Sequence, residues 1–389
     1  MIPYGRQTIS QDDIDAVVEV LRSDFLTQGP TVPRFEKSIA DHCKVPHAVA
    51  VCNATAGLHI ACLALDVGPG DLVWTCPNTF VASSNCARYC GADVDFVDVD
   101  PRTYNMSVTA LEQKLQRARA AGRLPKVVIP VHHSGQSCDM AAIAALAAEY
   151  GFRIIEDAAH AIGAAYEGEP VGDCRYSDLT VFSFHPVKII TTGEGGTVVT
   201  RDDILADKLR RLRSHGITSD RGIMEQRPED EIWNYQQISL GFNYRMTDIH
   251  AALGVSQMKR LNEFVLARRA IAKRYDEAFA QMPVTLPWQH PASNSSYHLY
   301  PLLIDPEVCG KTQKEVYRSL WDAGIAVNLH YIPVYRQPYY EHLGFRQGYC
   351  PESERYHKQA ISLPIFPGLT SDDQEKVIST IASAVGVTT

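Results

Sequence analysis

Asp178-Leu179-Thr180-Val181-Phe182-Ser183-Phe184-His185-Pro186-Val187-Lys188 runs into Thr191-Thr192-Gly193-Glu194-Gly195-Gly196, after which Thr197-Val198-Val199-Thr200 resumes an apolar pattern. The reading is a strand, a turn of small residues and a second strand, with Lys188 delivered into the turn. A lysine held in such a place is desolvated, and desolvation favours the neutral amine, a nucleophile able to form an imine. Taken alone, the same pattern also describes a surface lysine before a hairpin.

Working upstream, short apolar runs alternate with helical patterns through the first 250 residues. Val49-Ala50-Val51-Cys52 leads through Asn53-Ala54-Thr55-Ala56-Gly57 into the apolar helix Leu58 to Leu65, closed by Gly68-Pro69-Gly70. Further strand-like runs are Asp71 to Trp74, Val94 to Val99, Lys126 to Val131 and Arg153 to Asp157. This order predicts an α/β layer around a mostly parallel sheet. Ligands of such sheets gather beyond the carboxyl ends of the strands, so Thr55, Phe80, His132 and Asp157 are expected to share one crevice.

Downstream, Gly241-Phe242-Asn243-Tyr244-Arg245-Met246 precedes a long helical stretch that starts at Thr247, a plausible N-cap, and continues to about residue 280. The expected division is a large domain over 1–250, including the N-terminal segment, and a linking helix with a smaller α+β domain over 251–389. Tyr297 to Ile304 reads as a strand of the smaller domain. The polar segment Ser219 to Trp233 reads as a mobile loop.

Composition narrows the class. Apolar residues make up 45% and charged residues 21%, the balance of a folded globular chain. With 37 Lys and Arg against 45 Asp and Glu, the net charge is -8, so there is no basic excess to neutralise a nucleic-acid backbone. Neither a leader-like N-terminus nor an 18-residue apolar run is present, and a cytoplasmic location with no membrane partner is the expectation. The ten cysteines are scattered through apolar stretches and read as reduced core thiols. His132, His133 and Cys138 cluster loosely without a second ligand pair at zinc spacing, and no metal is expected.

Glu156-Asp157-Ala158-Ala159-His160, at the end of another strand, gives Lys188 a context. Pyridoxal phosphate (PLP) needs a carboxylate against its pyridine nitrogen, because a protonated ring withdraws electron density far better than a neutral one. Asp157 is placed to supply it. The phosphate needs backbone amides at a helix start and hydroxyl donors, which Thr55 and Ala56 offer, with Ser183 as a further hydroxyl.

With these residues assembled, the chain resembles the DegT/DnrJ/EryC1/StrS family of sugar aminotransferases, which have the aspartate-aminotransferase-like fold (PLP-dependent transferase fold type I). The resemblance runs nearly end to end, through Thr27-Gln28-Gly29-Pro30, Asn53 to Gly57, Pro77-Asn78-Thr79-Phe80-Val81-Ala82, Glu156 to His160, Ser183 to Gly196, Gly241 to Met246 and His330-Tyr331-Ile332-Pro333. It implies that Lys188 binds the cofactor covalently and moves protons as acid and base. It further implies that Asp157 pairs with the pyridine nitrogen, that Thr55, Ala56 and Ser183 hold the phosphate, that Phe80 covers the ring and that His160 sits close by. Asn243 resembles the position that reaches the phosphate from the neighbouring subunit, which implies a homodimer with shared active sites.

Within the family, Ile2 to Gln7, Leu26 to Pro30 and Asn328 to Tyr335 look most like the aminotransferases of pseudaminic acid biosynthesis. The implied reaction moves the amino group of L-glutamate to C4 of a UDP-linked 4-keto-6-deoxy-N-acetyl hexose, with Tyr4, Leu26, Thr27, Asn328, His330 and Tyr331 contacting the sugar nucleotide. The alternatives are another UDP- or dTDP-linked 4-keto sugar, a sugar dehydratase of the same family, or a PLP-binding regulator without turnover. Dehydratases usually carry His where Lys188 stands. The stretch Ile217 to Gln237 looks longer and more polar than is usual for the family.

Overall fold

The computed structural model describes residues 1–226, 231 and 234–387. Seven strands form the central sheet: β1 (His47–Val51), β2 (Leu72–Thr75), β3 (Asp93–Phe96), β4 (Val127–Ile129), β5 (Arg153–Asp157), β6 (Leu179–Ser183) and β7 (Gly196–Thr200). Their spatial order is β1-β7-β6-β5-β4-β2-β3. β7 runs antiparallel to both neighbours and every other pair is parallel.

The sheet is buried on both faces because side chains alternate across it. Val49, Val51, Val181 and Val198 point into one apolar cluster, beneath α3 (Ala54–Ala64) and α4 (Ala82–Tyr89). Ala48, Ala50, Phe182 and Val199 point into the other, against α2 (Thr31–Cys43), which follows α1 (Gln11–Leu21). Asn53 caps α3 by accepting from the Ala56 amide at 2.8 Å. Two glycines let this helix start sit against the sheet. A Cβ on Gly57 would meet the Val181 side chain at 3.0 Å, and one on Gly196 would lie 2.7 Å from backbone atoms of Asn53 and Ala54.

The helix expected from Thr247 to about 280 is two helices, α5 (Asp248–Met258) and α6 (Leu261–Phe279). Thr247 does cap the first, accepting from the His250 amide. The break at Lys259 and Arg260 lets the two segments bury different faces. Around it, Gln257 is fully buried and donates to Asp13 and to the Thr8 carbonyl, while α6 turns Ile271, Tyr275 and Phe279 into a separate C-terminal cluster.

That cluster includes the antiparallel pair β10 (Tyr300–Leu303) and β11 (Ala360–Leu363), flanked by α7 (Gln313–Asp322) and α8 (Ser371–Ala384). Earlier in the chain, Ile217–Thr218 (β8) pairs with Gln236–Gln237 (β9), so the long polar insertion closes on a hairpin base. The mobile loop expected over 219–233 falls partly on 227–230 and 232–233, outside the described residues. Ile2 bridges to Ile325 and joins the C-terminal cluster, although sequence reading groups the N-terminal segment with the sheet. Residue proximity in the sequence gives no hint of this pairing across the chain.

The strand expected over Tyr297 to Ile304 is shorter than its apolar pattern. Tyr297 is left-handed at φ 49°, and the Ser296 and Leu299 amides donate to the Gly135 and Ser134 carbonyls instead of extending a sheet. Buried Arg268 fixes this bend by donating to the carbonyls of Tyr297, His298 and Ile365. The ten cysteines carry free thiols, eight of them buried. Among the described residues no helix is long and apolar enough to cross a membrane.

Gly196→Ala is expected to lower stability by about 1–3 kcal/mol, since the added methyl meets backbone that cannot rotate away. Urea unfolding checks it; an unchanged midpoint contradicts the close seating of α3 on β7.

Candidate active site

The carboxyl ends of β5 and β6 and the start of α3 open into one cavity of about 580 Å³, closed on the far side by residues 328–331 and Tyr4. Such a volume suits a small-molecule site. Lys188 and Asp157 both line it.

Lys188 reaches the cavity because the turn that carries it is pinned on both sides. The Phe184 amide donates to the Gly195 carbonyl, the Thr192 amide donates to the Phe184 carbonyl, and Ile189 and Ile190 are buried in the apolar cluster beneath. Burial pulls the Lys188 amine down to about 8, against the pull of the Asp157 charge, which favours its protonated form. A substantial share of this amine is therefore neutral near physiological pH.

Asp157 is 4% exposed and ends β5. Its Oδ2 accepts from Ser83 Oγ at 2.5 Å and its Oδ1 from the Ala159 amide at 3.0 Å. Thr79 Oγ1 lies 2.6 Å from Ser83 Oγ and steadies that hydroxyl. On the opposite side of the strand, Glu156 faces His132 Nε2 at 2.6 Å and accepts from Ser177 and Thr180. Burial pushes the Glu156 carboxyl up, but these partners outweigh it and hold it below the ordinary value. The alternation of one strand thus separates a structural carboxyl–imidazole hydrogen bond from a cavity carboxyl group.

A group of neutral rings surrounds the amine. Burial, reinforced by the Lys188 charge, holds His160 and His298 well below the usual imidazole range, and burial takes His133 to about 4 and His330 to about 3. His160 and His298 pack with centroids 4.3 Å apart. His160 Nδ1 accepts from the Ser134 amide at 3.3 Å, which assigns the ring proton to Nε2, 3.1 Å from the Tyr331 hydroxyl. Tyr331 is left with its own proton to offer to the cavity, and burial raises its phenol far above the ordinary value. His330 Nδ1 lies 2.8 Å from Ser362 Oγ. Tyr4 shares the wall with Asn328, and burial raises its phenol despite a hydrogen bond with Asn328.

Of the residues singled out in the sequence, Tyr4, Thr55, Phe80, Asp157, His160, Ser183, Lys188, Asn328, His330 and Tyr331 meet around this cavity. Phe80 is 61% exposed at its rim. Ala56 is not on the wall, and its amide is already committed to the side chain of Asn53, a residue that does line the cavity. Leu26 and Thr27 lie away from the cavity because the segment is tied to the start of α5. There the Leu26 carbonyl accepts from the Asp248 amide, and Asp248 accepts from the Gly29 and Thr31 amides. Asn243 is exposed and bridges Ser214. His132 faces Glu156, away from the crevice in which its strand end predicts it.

Ser83 and His298 escaped sequence reading. Ser83 had a signal, standing four positions after Thr79, one helical turn from a hydroxyl in a recognised motif. His298 had none, since only the Arg268 clamp places it. Among the described residues no group of three His, Cys, Asp or Glu is arranged to hold a metal.

Comparison with known proteins gives a consistent result. The model of the DegT/DnrJ/EryC1/StrS aminotransferase family matches residues 7–382. The spore coat polysaccharide biosynthesis protein SpsC of Bacillus subtilis is 38% identical over 99% of this chain and 97% of its own. Among solved structures, the aminotransferase TlmJ of Streptoalloteichus hindustanus superposes with a TM-score of 0.89 at 31% identity, covering 99% of both chains. PseC of Helicobacter pylori, an aminotransferase involved in pseudaminic acid biosynthesis, has the same TM-score and coverage at 28% identity.

In the cofactor-free protein, labelling of Lys188 by an amine-reactive probe is expected to rise with pH and level off above a midpoint near 8, because only the neutral amine reacts. Peptide mass spectrometry across a pH series reads this directly. A midpoint at about 10.4, where exposed lysines titrate, contradicts the burial argument.

Proposed function

Because this chain belongs to the DegT/DnrJ/EryC1/StrS aminotransferase family, a PLP-dependent family of sugar aminotransferases, we propose that it transfers the amino group of L-glutamate to C4 of a UDP-linked 4-keto-6-deoxy-N-acetyl hexose. The observation that carries this reading is the facing pair of a buried, partly neutral amine and a buried carboxylate in one cavity, with a polar wall of Tyr4, Asn328, His330 and Tyr331 beside them. The likeness to PseC supports the pseudaminic acid step in particular.

The residues fit the cofactor. Asp157 would pair with the ring nitrogen, Thr55 and Ser183 would offer hydroxyls to the phosphate, and Phe80, at the rim, would cover the ring. The Ala56 amide would join them only by giving up its Asn53 cap. Bound there, PLP supplies an aldehyde for condensation with amines and a ring that withdraws electron density from the neighbouring carbon.

Around it, this chain's residues divide the work. Lys188 Nζ, neutral in part near pH 8, is placed to take the proton from Cα of the amino donor and to deliver one to the sugar carbon. Asp157 would offer its carboxyl group to the ring, held in place by Ser83 and the Ala159 amide. Tyr331, oriented by His160, presents its hydroxyl proton to a substrate oxygen. The neutral imidazoles border the amine without adding cations that would compete with it for Asp157. Donor and acceptor use one cavity in turn, so ping-pong kinetics follow. We further assign the sheet domain to 1–250, with its first residues reaching across to the C-terminal cluster through Ile2, and the linking helix with the smaller domain to 251–389. The enzyme is read as a cytoplasmic homodimer in which exposed Asn243 reaches the partner's phosphate site.

A second substrate reading has its own support, since SpsC, a spore coat polysaccharide protein, is 38% identical to this chain. Another UDP- or dTDP-linked 4-keto sugar is then the acceptor. Neither a dehydratase nor a regulator without turnover is favoured by a cavity that retains both Lys188 and Asp157.

Lys188→Ala is expected to cut turnover roughly 10²–10⁴-fold, the range for a lost general acid–base group, while the fold survives. Asp157→Ala should slow proton abstraction severely. Rates with glutamate and a panel of UDP- and dTDP-linked 4-keto sugars, with product stereochemistry read by NMR, check both the roles and the acceptor; full activity without Lys188 contradicts the assignment.

A further inference from the structure

Two buried hydroxyls stand behind Asp157, and neither serves the helix beside which they lie. α4 starts at Ala82 with no side-chain cap, although Thr79 and Ser83, residues of the kind that caps helix starts, flank that turn. Ser83 is 0% exposed and Thr79 3%. Ser83 Oγ lies 2.5 Å from Asp157 Oδ2 and 2.6 Å from Thr79 Oγ1, with the Phe80 carbonyl farther off at 3.4 Å. A hydroxyl has one proton to donate. The carboxyl group is the nearer acceptor, so the Ser83 proton goes to Asp157, and Thr79 in turn donates to Ser83. The hydrogen bonds therefore run one way, from Thr79 to Ser83 to Asp157.

On its other oxygen Asp157 accepts from the Ala159 amide at 3.0 Å. Bonds at both oxygens hold the carboxyl group in one orientation. Among the described residues Lys188 is in no ion pair at 4.0 Å or less, although it lines the same cavity as Asp157 and its amine is drawn toward the protonated form by that charge. The other titratable groups on the wall do not compete for the amine in this way. Burial holds His160, His298 and His330 below the usual imidazole range and raises the phenols of Tyr4 and Tyr331, while His185 and Glu194, on the Lys188 turn itself, are exposed.

We propose that Ser83, backed by Thr79, is a positioning residue that keeps the Asp157 carboxyl group off the Lys188 amine and so leaves that amine free to react. The inference deepens the proposed function, on which it rests for the use of a neutral amine. Its physical content is a competition. A buried carboxyl group deprived of one hydrogen bond carries the cost of an unmet acceptor, and it lowers that cost by turning to another donor. Across this cavity the donor is the Lys188 ammonium. Coulomb attraction grows as the separation falls, so a direct contact holds the proton on the amine to higher pH than the present arrangement does. Ser83 is not on the cavity wall and acts through Asp157 alone.

The test uses the cofactor-free protein, with labelling of Lys188 by an amine-reactive probe followed across pH by peptide mass spectrometry. In Ser83→Ala the midpoint is expected to rise from near 8 by about one pH unit or more, toward the roughly 10.4 of an exposed lysine, so that labelling at pH 8 slows roughly fivefold. Thr79→Val removes the second hydroxyl at nearly constant volume and is expected to move the midpoint the same way by less; it decides the matter should Ser83→Ala not fold. Adding Asp157→Asn to either variant is expected to bring the midpoint back to about 8 or lower, because an amide offers the ammonium no charge. A midpoint unmoved in the single variants, or one that stays raised with Asn at 157 and so reports only a loosened, wetter site, overturns the proposal. The aminotransferase reading fails separately, if the PLP-loaded wild type releases no 2-oxoglutarate from glutamate.

Discussion

The structure turns on placing an amine and a carboxylate in one cavity without letting them neutralise each other's purpose. A lysine and an aspartate in direct contact would form an ion pair, and the amine would stay protonated. Here burial works on Lys188 more strongly than the Asp157 charge does, and the amine is pulled down to about 8. Asp157 meanwhile finds its hydrogen bonds elsewhere, from Ser83 and the Ala159 amide. Much of the surrounding architecture serves that separation. The Lys188 turn is anchored by Ile189 and Ile190, α4 brings Ser83 into reach, and four imidazoles line the neighbourhood as uncharged rings.

The cavity is assembled from distant parts of the chain. Asp157 and Ser183 come from strand ends, Asn53 and Thr55 from the start of α3, Tyr4 from the N-terminus, and 328–331 from the C-terminal layer. Ile2 pairs with Ile325, so the segment carrying Tyr4 is held to the same layer as Asn328 and His330. The wall of Tyr4, Asn328 and His330 is thus one connected unit lining the same cavity as Lys188 and Asp157. Any relative movement of sheet and C-terminal layer would change the distance between them, and the bonds of the Ser296 and Leu299 amides to the Gly135 and Ser134 carbonyls and of the Ser296 hydroxyl to the His160 carbonyl resist such movement.

Elements whose signal is local were legible in the sequence. The buried strands announce themselves as continuous apolar runs, and Lys188 and Asp157 stand out because each follows such a run into polar residues. What the sequence hides is long-range. The break at Lys259 and Arg260 leaves no Gly or Pro to mark it; it arises because α5 packs against the N-terminal helices while α6 carries on from that core at Leu261, Phe264 and Val265 into the C-terminal one at Ile271, Tyr275 and Phe279. His298 owes its place to Arg268, and the Ala56 amide loses its freedom to a cap three residues away. Leu26, Thr27 and Asn243 carry family resemblance but no cavity contact within this chain. For Asn243 the proposed dimer supplies a physical reason, since a residue that serves a neighbouring subunit has no cause to face its own cavity.

The most direct measurement is chemical. Reducing the PLP-loaded protein with borohydride fixes the cofactor to whichever amine holds it, and peptide mapping then names the residue. The account predicts a single label at Lys188; a label on another lysine, or none, contradicts it.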